Sequence, residues 1–254
     1  MRRWLQGAAR GLAVPLVLVA ALEAYMHGPG KNSDALAAPT AAAQAFGRAL
    51  VDGSLLQGTL FTLGSAALGL LIALVLGTLL GIWLGLSRQA GAWSFLTVEV
   101  LRPVPSVALI PLSMLVFGFG VRMESAVVAF AVFWPMLVLA QSAARQVDAR
   151  LLEVGFALGL SPWARLSKIV LPAMVARLFV AIRLGVAIAL VVAVTVEIAA
   201  NPHGMGYAMM VAQQSLDPAL MLAWLFWIAV VGYLVNLLAL VLERRIARAM
   251  GAVA

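Results

Sequence analysis

Long stretches of this chain carry no charged side chain at all. No Asp, Glu, Lys, Arg or His lies between Asp52 and Arg88, between Arg102 and Arg122, between Glu124 and Arg145, or between Asp217 and Glu243. A helix needs about 20 residues to cross a hydrocarbon core of about 30 Å, and each gap is near or above that length. Spans are therefore expected over residues 59–86, 104–120, 125–144 and 219–242. A fifth apolar stretch, 171–198, is long enough to cross but carries Arg177 and Arg183. With 64% hydrophobic and 11% charged residues, the chain has more apolar surface than a soluble core can hide. The expected fold class is an all-α membrane protein, a polytopic bundle of about six transmembrane helices.

The N-terminus has two readings. Arg2 and Arg3, an apolar run over 11–22 and then Ala35-Leu36-Ala37 resemble a cleavable secretory signal, but an uncleaved first span fits the same residues. The second reading is adopted, with Glu23 at the outer end of the span. Residues 1–58 then form a first span plus an external segment, in which Gly28-Pro29-Gly30 and Pro39 mark a loop with one short surface helix. Residues 59–245 form the transmembrane domain and 246–254 a cytoplasmic tail.

Lys and Arg set the orientation, because short cytoplasmic loops collect them. With the N-terminus inside, the cytoplasmic set is Arg2, Arg3, Arg10, Arg88, Arg102, Arg145, Arg150, Arg165, Lys168, Arg244, Arg245 and Arg248. The external set is Lys31, Arg48 and Arg122. Both termini are expected in the cytoplasm, and residues 145–168 form the longest cytoplasmic loop.

Local signals in that loop predict a helix, a sharp turn and a second helix. Asp148 caps a helix over 149–158, Gly159 ends it in a left-handed conformation, and Ser161 with Pro162 opens the next. A stiff surface helix joined to the following span suits a grip by a cytoplasmic partner. A connector that only caps two spans is the plainer alternative, and local features leave both open.

The stretch EVGFALGLSPWARLSKIVLP, residues 153–172, resembles the cytoplasmic signature of bacterial ABC-importer permeases. In that signature Glu-Ala-Ala is followed by three residues, Gly, nine residues and Ile-x-Leu-Pro. Glu153, Gly159, Ile169, Leu171 and Pro172 fall in register, while Val154 and Gly155 stand where the family has alanines. Residues 102–120, RPVPSVALIPLSMLVFGFG, are similar to the proline-rich third span of the nitrate, sulfonate and taurine branch. Residues 181–207 are similar to its fifth span and following loop, including Glu197 and Gly204-Met205-Gly206-Tyr207. The similarity is good from about Asp52 onward and poor before it.

The resemblance implies a type I importer permease fold in a bacterial inner membrane. It also implies alternating access along a pathway formed by two copies, with homodimer against heterodimer left open. An ATPase subunit pair would grip residues 155–163, making Glu153, Gly155, Leu158, Gly159, Leu160, Ser161 and Trp163 the coupling residues. An extracytoplasmic solute-binding protein would deliver a small anion such as a sulfonate, taurine or nitrate. No cofactor is expected on this chain, and ATP belongs to the partner. In keeping with that, the sequence has no Gly-x-x-x-x-Gly-Lys-Ser/Thr loop to cradle phosphates.

Candidate pathway residues follow from what membranes tolerate. Pro103, Pro105 and Pro111 interrupt the third span, and the backbone carbonyls they free need protein or a watery cavity. Pro105, Ser106 and Ser113 are therefore expected near the pathway, with a simple kink as the competing account. Arg183 must face the bundle interior, water or a partner, in an anion-facing or a purely structural role. Glu197 lies fourteen residues on, about 21 Å along a helix, so each needs its own partner. Gly77, Gly81 and Gly85 form a small-residue stripe suited to close helix packing, within the chain or across a dimer.

Other function classes fit less well. A secondary transporter, the alternative, would be expected to show half-repeats and membrane-embedded acids, for which only Glu23 and Glu197 are candidates. A membrane enzyme would need clustered polar groups, whereas His27 and His203 stand far apart. Absence of cysteine removes thiol chemistry and Cys-ligated metals. The 17 Lys and Arg are dispersed between apolar runs, so the net charge of +7 does not mark a nucleic-acid surface.

Overall fold

The computed structural model describes residues 2–31, 33 and 36–249. Helix α1 runs Arg2–His27, and its apolar part with described side chains is Val14–His27. The short external helix is present as α2, Pro39–Val51, with Pro39 at its first turn. Glu23 ties α1 to it by accepting from the Thr40 N–H at 3.0 Å and the Thr40 hydroxyl at 2.7 Å. Ala35 and residues 250–254, the end of the expected tail, lie outside the described residues.

Helix α3 spans Ser54–Leu86. It starts earlier than its apolar run because Asp52 accepts from the Ser54 N–H at 2.8 Å, and because Gly53, at φ 80°, turns the chain from α2. One face is lined by Gly58, Thr62, Ser65, Gly69, Ala73, Gly77 and Gly81, all buried. Leu56, Leu60, Leu71, Val75, Leu76 and Leu79 are exposed on the rest of the helix. Small residues inside and large ones outside are what helix association in lipid requires, since backbones must approach closely to gain contact.

The partner of that face is α6, Val121–Arg145, the most buried of the four helices long and apolar enough to span. A Cβ on Gly77 would lie 2.9 Å from the Met136 Cβ, one on Gly81 2.7 Å from the Ala140 Cβ, and one on Gly85 2.6 Å from the Ala144 Cβ. The glycine stripe thus packs within the chain. Pro135 is accommodated inside α6 without ending it.

Helix α4, Arg88–Leu101, and α5, Ile110–Phe117, stand where a proline-interrupted third span is expected over 104–120. A 3₁₀ turn, Ser106–Leu109, joins them, and the pair is bent by 83°. The cause is local: Pro103, Pro105 and Pro111 lack the donors a continuous helix needs. At eight residues α5 is too short to cross alone.

After the loop helices α7, Ala149–Ala157, and α8, Pro162–Arg165, the chain passes through a π turn, Leu166–Val170, into α9, Leu171–Ala199. Pro172 explains the wide turn, because its ring crowds the preceding turn and its nitrogen donates nothing. Helix α10, Gly204–Gln214, folds back, and α11, Pro218–Ala249, closes the bundle against α2, α9 and α10. Among the described residues, four helical stretches qualify as spans, or five with the bent pair. The chain is a multi-pass, all-helical membrane protein among its described residues.

Candidate functional site

The loop between α6 and α9 has the geometry its residues predict. Asp148 is the N-cap of α7, and its carboxylate accepts from the Arg150 N–H at 2.9 Å. The helix ends one residue early, at Ala157. Gly159 is left-handed at φ 66°, and the Leu160 N–H reaches back to the Gly155 carbonyl at 3.0 Å. Ser161 is the N-cap of α8 and accepts from the Ala164 N–H at 3.2 Å, with Pro162 in its first turn.

Two contacts stiffen the turn. The Arg165 guanidinium lies 3.6 Å from the centroid of the Phe156 ring. Gly155 is buried where α7 meets the π turn, and a Cβ there would come within 2.7 Å of Ile169 Cδ1. That close approach gives a physical reason for glycine at a position where the family signature has alanine.

The loop's outer surface is apolar. Leu158 and Trp163 are 71% and 72% exposed, and Val154 and Phe156 are exposed beside them. Glu153 is exposed on the same helix, and Leu160 is half-buried. Aqueous loops rarely display large side chains this densely unless another surface covers them.

The expected pathway residues are not brought together. Pro105 is exposed and Ser106 half-buried at the α4–α5 bend. Ser113 is buried, and its hydroxyl donates to the Met123 carbonyl at 3.0 Å, fastening α5 to α6. The Arg183 guanidinium lies 3.5 Å from the Glu243 carboxylate of α11. Trp227 is a packing residue whose indole N–H donates to the Thr59 hydroxyl at 2.8 Å, and Trp224 packs on Gly58.

Glu197 sits in a buried polar cluster where α3, α6, α9 and the turn into α10 meet. Its Oε1 accepts from the Thr62 hydroxyl at 2.6 Å and its Oε2 from the Gly206 N–H at 2.8 Å. Gly204 and Gly206 are required here, because a Cβ on either would run into the Glu197 side chain. Glu124, which the apolar runs place outside the expected span, belongs to the same cluster. Its Oε1 accepts from the Ser65 hydroxyl and its Oε2 from the Asn201 amide at 2.6 Å. The Asn201 carbonyl oxygen in turn accepts from the Gly120 N–H at 3.1 Å.

A family model described as the binding-protein-dependent transport system inner membrane component matches residues 73–248. A putative aliphatic sulfonates transport permease protein, SsuC, of Bacillus subtilis is 29% identical over 94% of this chain and 87% of its own length. The taurine transport system permease protein TauC of Escherichia coli is 27% identical over 77% of this chain and 71% of its own. The fold is similar to a chain in an inward-facing structure of the MetNI methionine ABC transporter. The TM-score is 0.64 and the identity 19%, covering 76% of this chain and 94% of that one.

Proposed function

The chain belongs to the family of binding-protein-dependent transport system inner membrane components, and from that premise we propose that it is the permease of an importer driven by a separate ATPase, gripped at the α7–α8 loop. The observation that carries this reading is the exposed apolar surface of Leu158 and Trp163 on a rigid helix–turn–helix. The turn joins directly to α9 through α8 and the π turn, so a push on α7 reaches a transmembrane helix without a flexible link.

The cytoplasm is the side that holds this loop, given where Lys and Arg collect. ATP is bound and hydrolysed by the partner pair. An external binding protein supplies the solute, and two copies of this chain enclose the pathway, with the exposed apolar face of α5 (Leu112, Leu115 and Val116) available for pairing. The solute is a small anion of the sulfonate or taurine kind, a reading supported by the names of the relatives above. Pro105, Ser106 and Ser113 lie along the bent segment nearest that pairing face. Arg183 serves α9–α11 pairing, and Glu197 the cluster that fixes the ends of α6 and α9.

Gentle purification of the tagged chain from its native membrane, with every co-purifying polypeptide identified by mass spectrometry, tests the assignment. An ATPase subunit is expected with the wild type and reduced with a Gly159→Val variant. Recovery of the chain without any ATPase, under conditions that keep other importers intact, would contradict it.

A further inference from the structure

Arg88 and Arg145 are the first charged residues beyond the charge-free runs of α3 and α6, so both stand where a span leaves the apolar core of the membrane. The fold brings these two ends together. A cavity of about 730 Å³ lies between the end of α3, the start of α4, the end of α6 and the start of α7, and both arginines line it. The other lining side chains are apolar, Leu86, Phe95 and Leu152 the largest among them, and no Asp or Glu lines it. Arg145 reaches from α6 over the start of α4. A Cβ on Gly91 would lie 2.9 Å from its Nη2 and 2.7 Å from the Leu84 carbonyl oxygen, so glycine is what lets α4 and the guanidinium come this close.

Neither arginine is neutralised within the chain. The ion pairs among the described residues join His27 to Glu23, Arg102 to Glu99 and Arg183 to Glu243. Asp148, beside the cavity wall, spends its carboxylate on the Arg150 N–H. Two unpaired guanidinium groups on one cavity suit a phosphate, whose oxygens match their fork of donors.

The surroundings select the source of that phosphate. Trp93, Phe95 and Leu96 are exposed on α4, and Trp83 and Leu86 at the end of α3. Phe95 belongs both to that apolar surface and to the cavity. A free phosphate gains nothing from such a surface, whereas the acyl chains of a bound lipid cover it. Exposed Trp is frequent at headgroup level, and basic cavities between spans at the cytoplasmic end suit anionic headgroups.

We propose that this cavity binds the phosphate of an anionic phospholipid between Arg88 and Arg145, with the lipid's chains along α4. The bound lipid joins the start of α4 to the end of α6 and the first turn of α7. The site is built from this chain alone and does not depend on an ATPase.

The test is native mass spectrometry of the tagged full chain with the subunits it retains, delipidated in detergent and then given phosphatidylglycerol or phosphatidylcholine. Wild type is expected to retain phosphatidylglycerol preferentially, and Arg88→Gln/Arg145→Gln to retain it about fivefold less. Arg244→Gln/Arg245→Gln, which removes the same charge from the end of α11, is expected to match wild type, and excess inorganic phosphate to leave the lipid bound. Equal retention of both lipids by wild type would overturn the proposal. So would an equal loss in both double variants, which is general attraction to a basic chain. Displacement by phosphate would assign the cavity to a free anion, and retention only by chains that have shed their ATPase would assign it to an acidic surface of that partner; either result overturns the lipid site. Should the Arg88→Gln/Arg145→Gln variant fail to fold, each single Gln variant, read in the same way, decides the question.

Discussion

The Arg165 guanidinium stacks on the Phe156 ring at 3.6 Å, joining α8 to α7 across the Gly159 turn. Such a contact contributes about 0.5–1 kcal/mol at an exposed site, small for the fold as a whole but concentrated on one hinge. Arg165→Ala is expected to leave the level of folded protein unchanged and lower transport per ATP hydrolysed. Reconstituted transport and ATPase assays, run side by side, check this.

Gly159 stands at φ 66°, where a β-branched residue costs about 1–2 kcal/mol. Nothing lies within 4 Å of a Cβ built there, so the cost is conformational and confined to the turn. Gly159→Val is expected to keep helix content and uncouple hydrolysis from transport, whereas Gly159→Asn, which tolerates the left-handed region, retains more coupling. Equal coupling in both variants would contradict the role of the turn.

Gly81 tests the packing of the bundle. A Cβ at this position would lie 2.7 Å from the Ala140 Cβ and 3.0 Å from the Gln141 nitrogen, and backbone cannot yield as a flexible side chain does. Gly81→Leu is expected to cost more than the roughly 1–3 kcal/mol of ordinary overpacking and to lower the unfolding temperature sharply. Leu71→Ala, on the exposed face of the same helix, is expected to change it little.

Arg183 separates a structural from a solute-binding role. Its ion pair with Glu243 is partly exposed, so Arg183→Gln is expected to cost about 1 kcal/mol or less and to leave the transport KM unchanged. A large rise in KM with unchanged stability would place Arg183 against the solute instead.

Much of this architecture is legible in the residues themselves. Charge-free runs mark α3, α6 and α11, and a long apolar stretch marks α9, because lipid excludes unpaired charge along a whole helix. The α7–α8 turn is legible because Asp148, Gly159, Ser161 and Pro162 each act through their own backbone within a few residues. Other features depend on distant partners. Prolines announce a break near residue 105 but not its angle of 83°, which packing of α5 on α6 sets. Glu124 reads as lying outside its span because a charge normally ends an apolar run, yet its partners Ser65 and Asn201 are 59 and 77 residues away. The one local hint is Thr62 and Ser65, two hydroxyls on the otherwise small and apolar face of α3.

The central claim is that a separate ATPase grips the α7–α8 loop. A photoreactive amino acid in place of Leu158 or Trp163, with Leu71 as the control position, tests it directly in intact membranes. Adducts with an ATPase subunit from positions 158 and 163, and none from 71, are the predicted result. Adducts from 158 and 163 with an external binding protein, or with no ATPase in membranes where transport is active, would contradict the account.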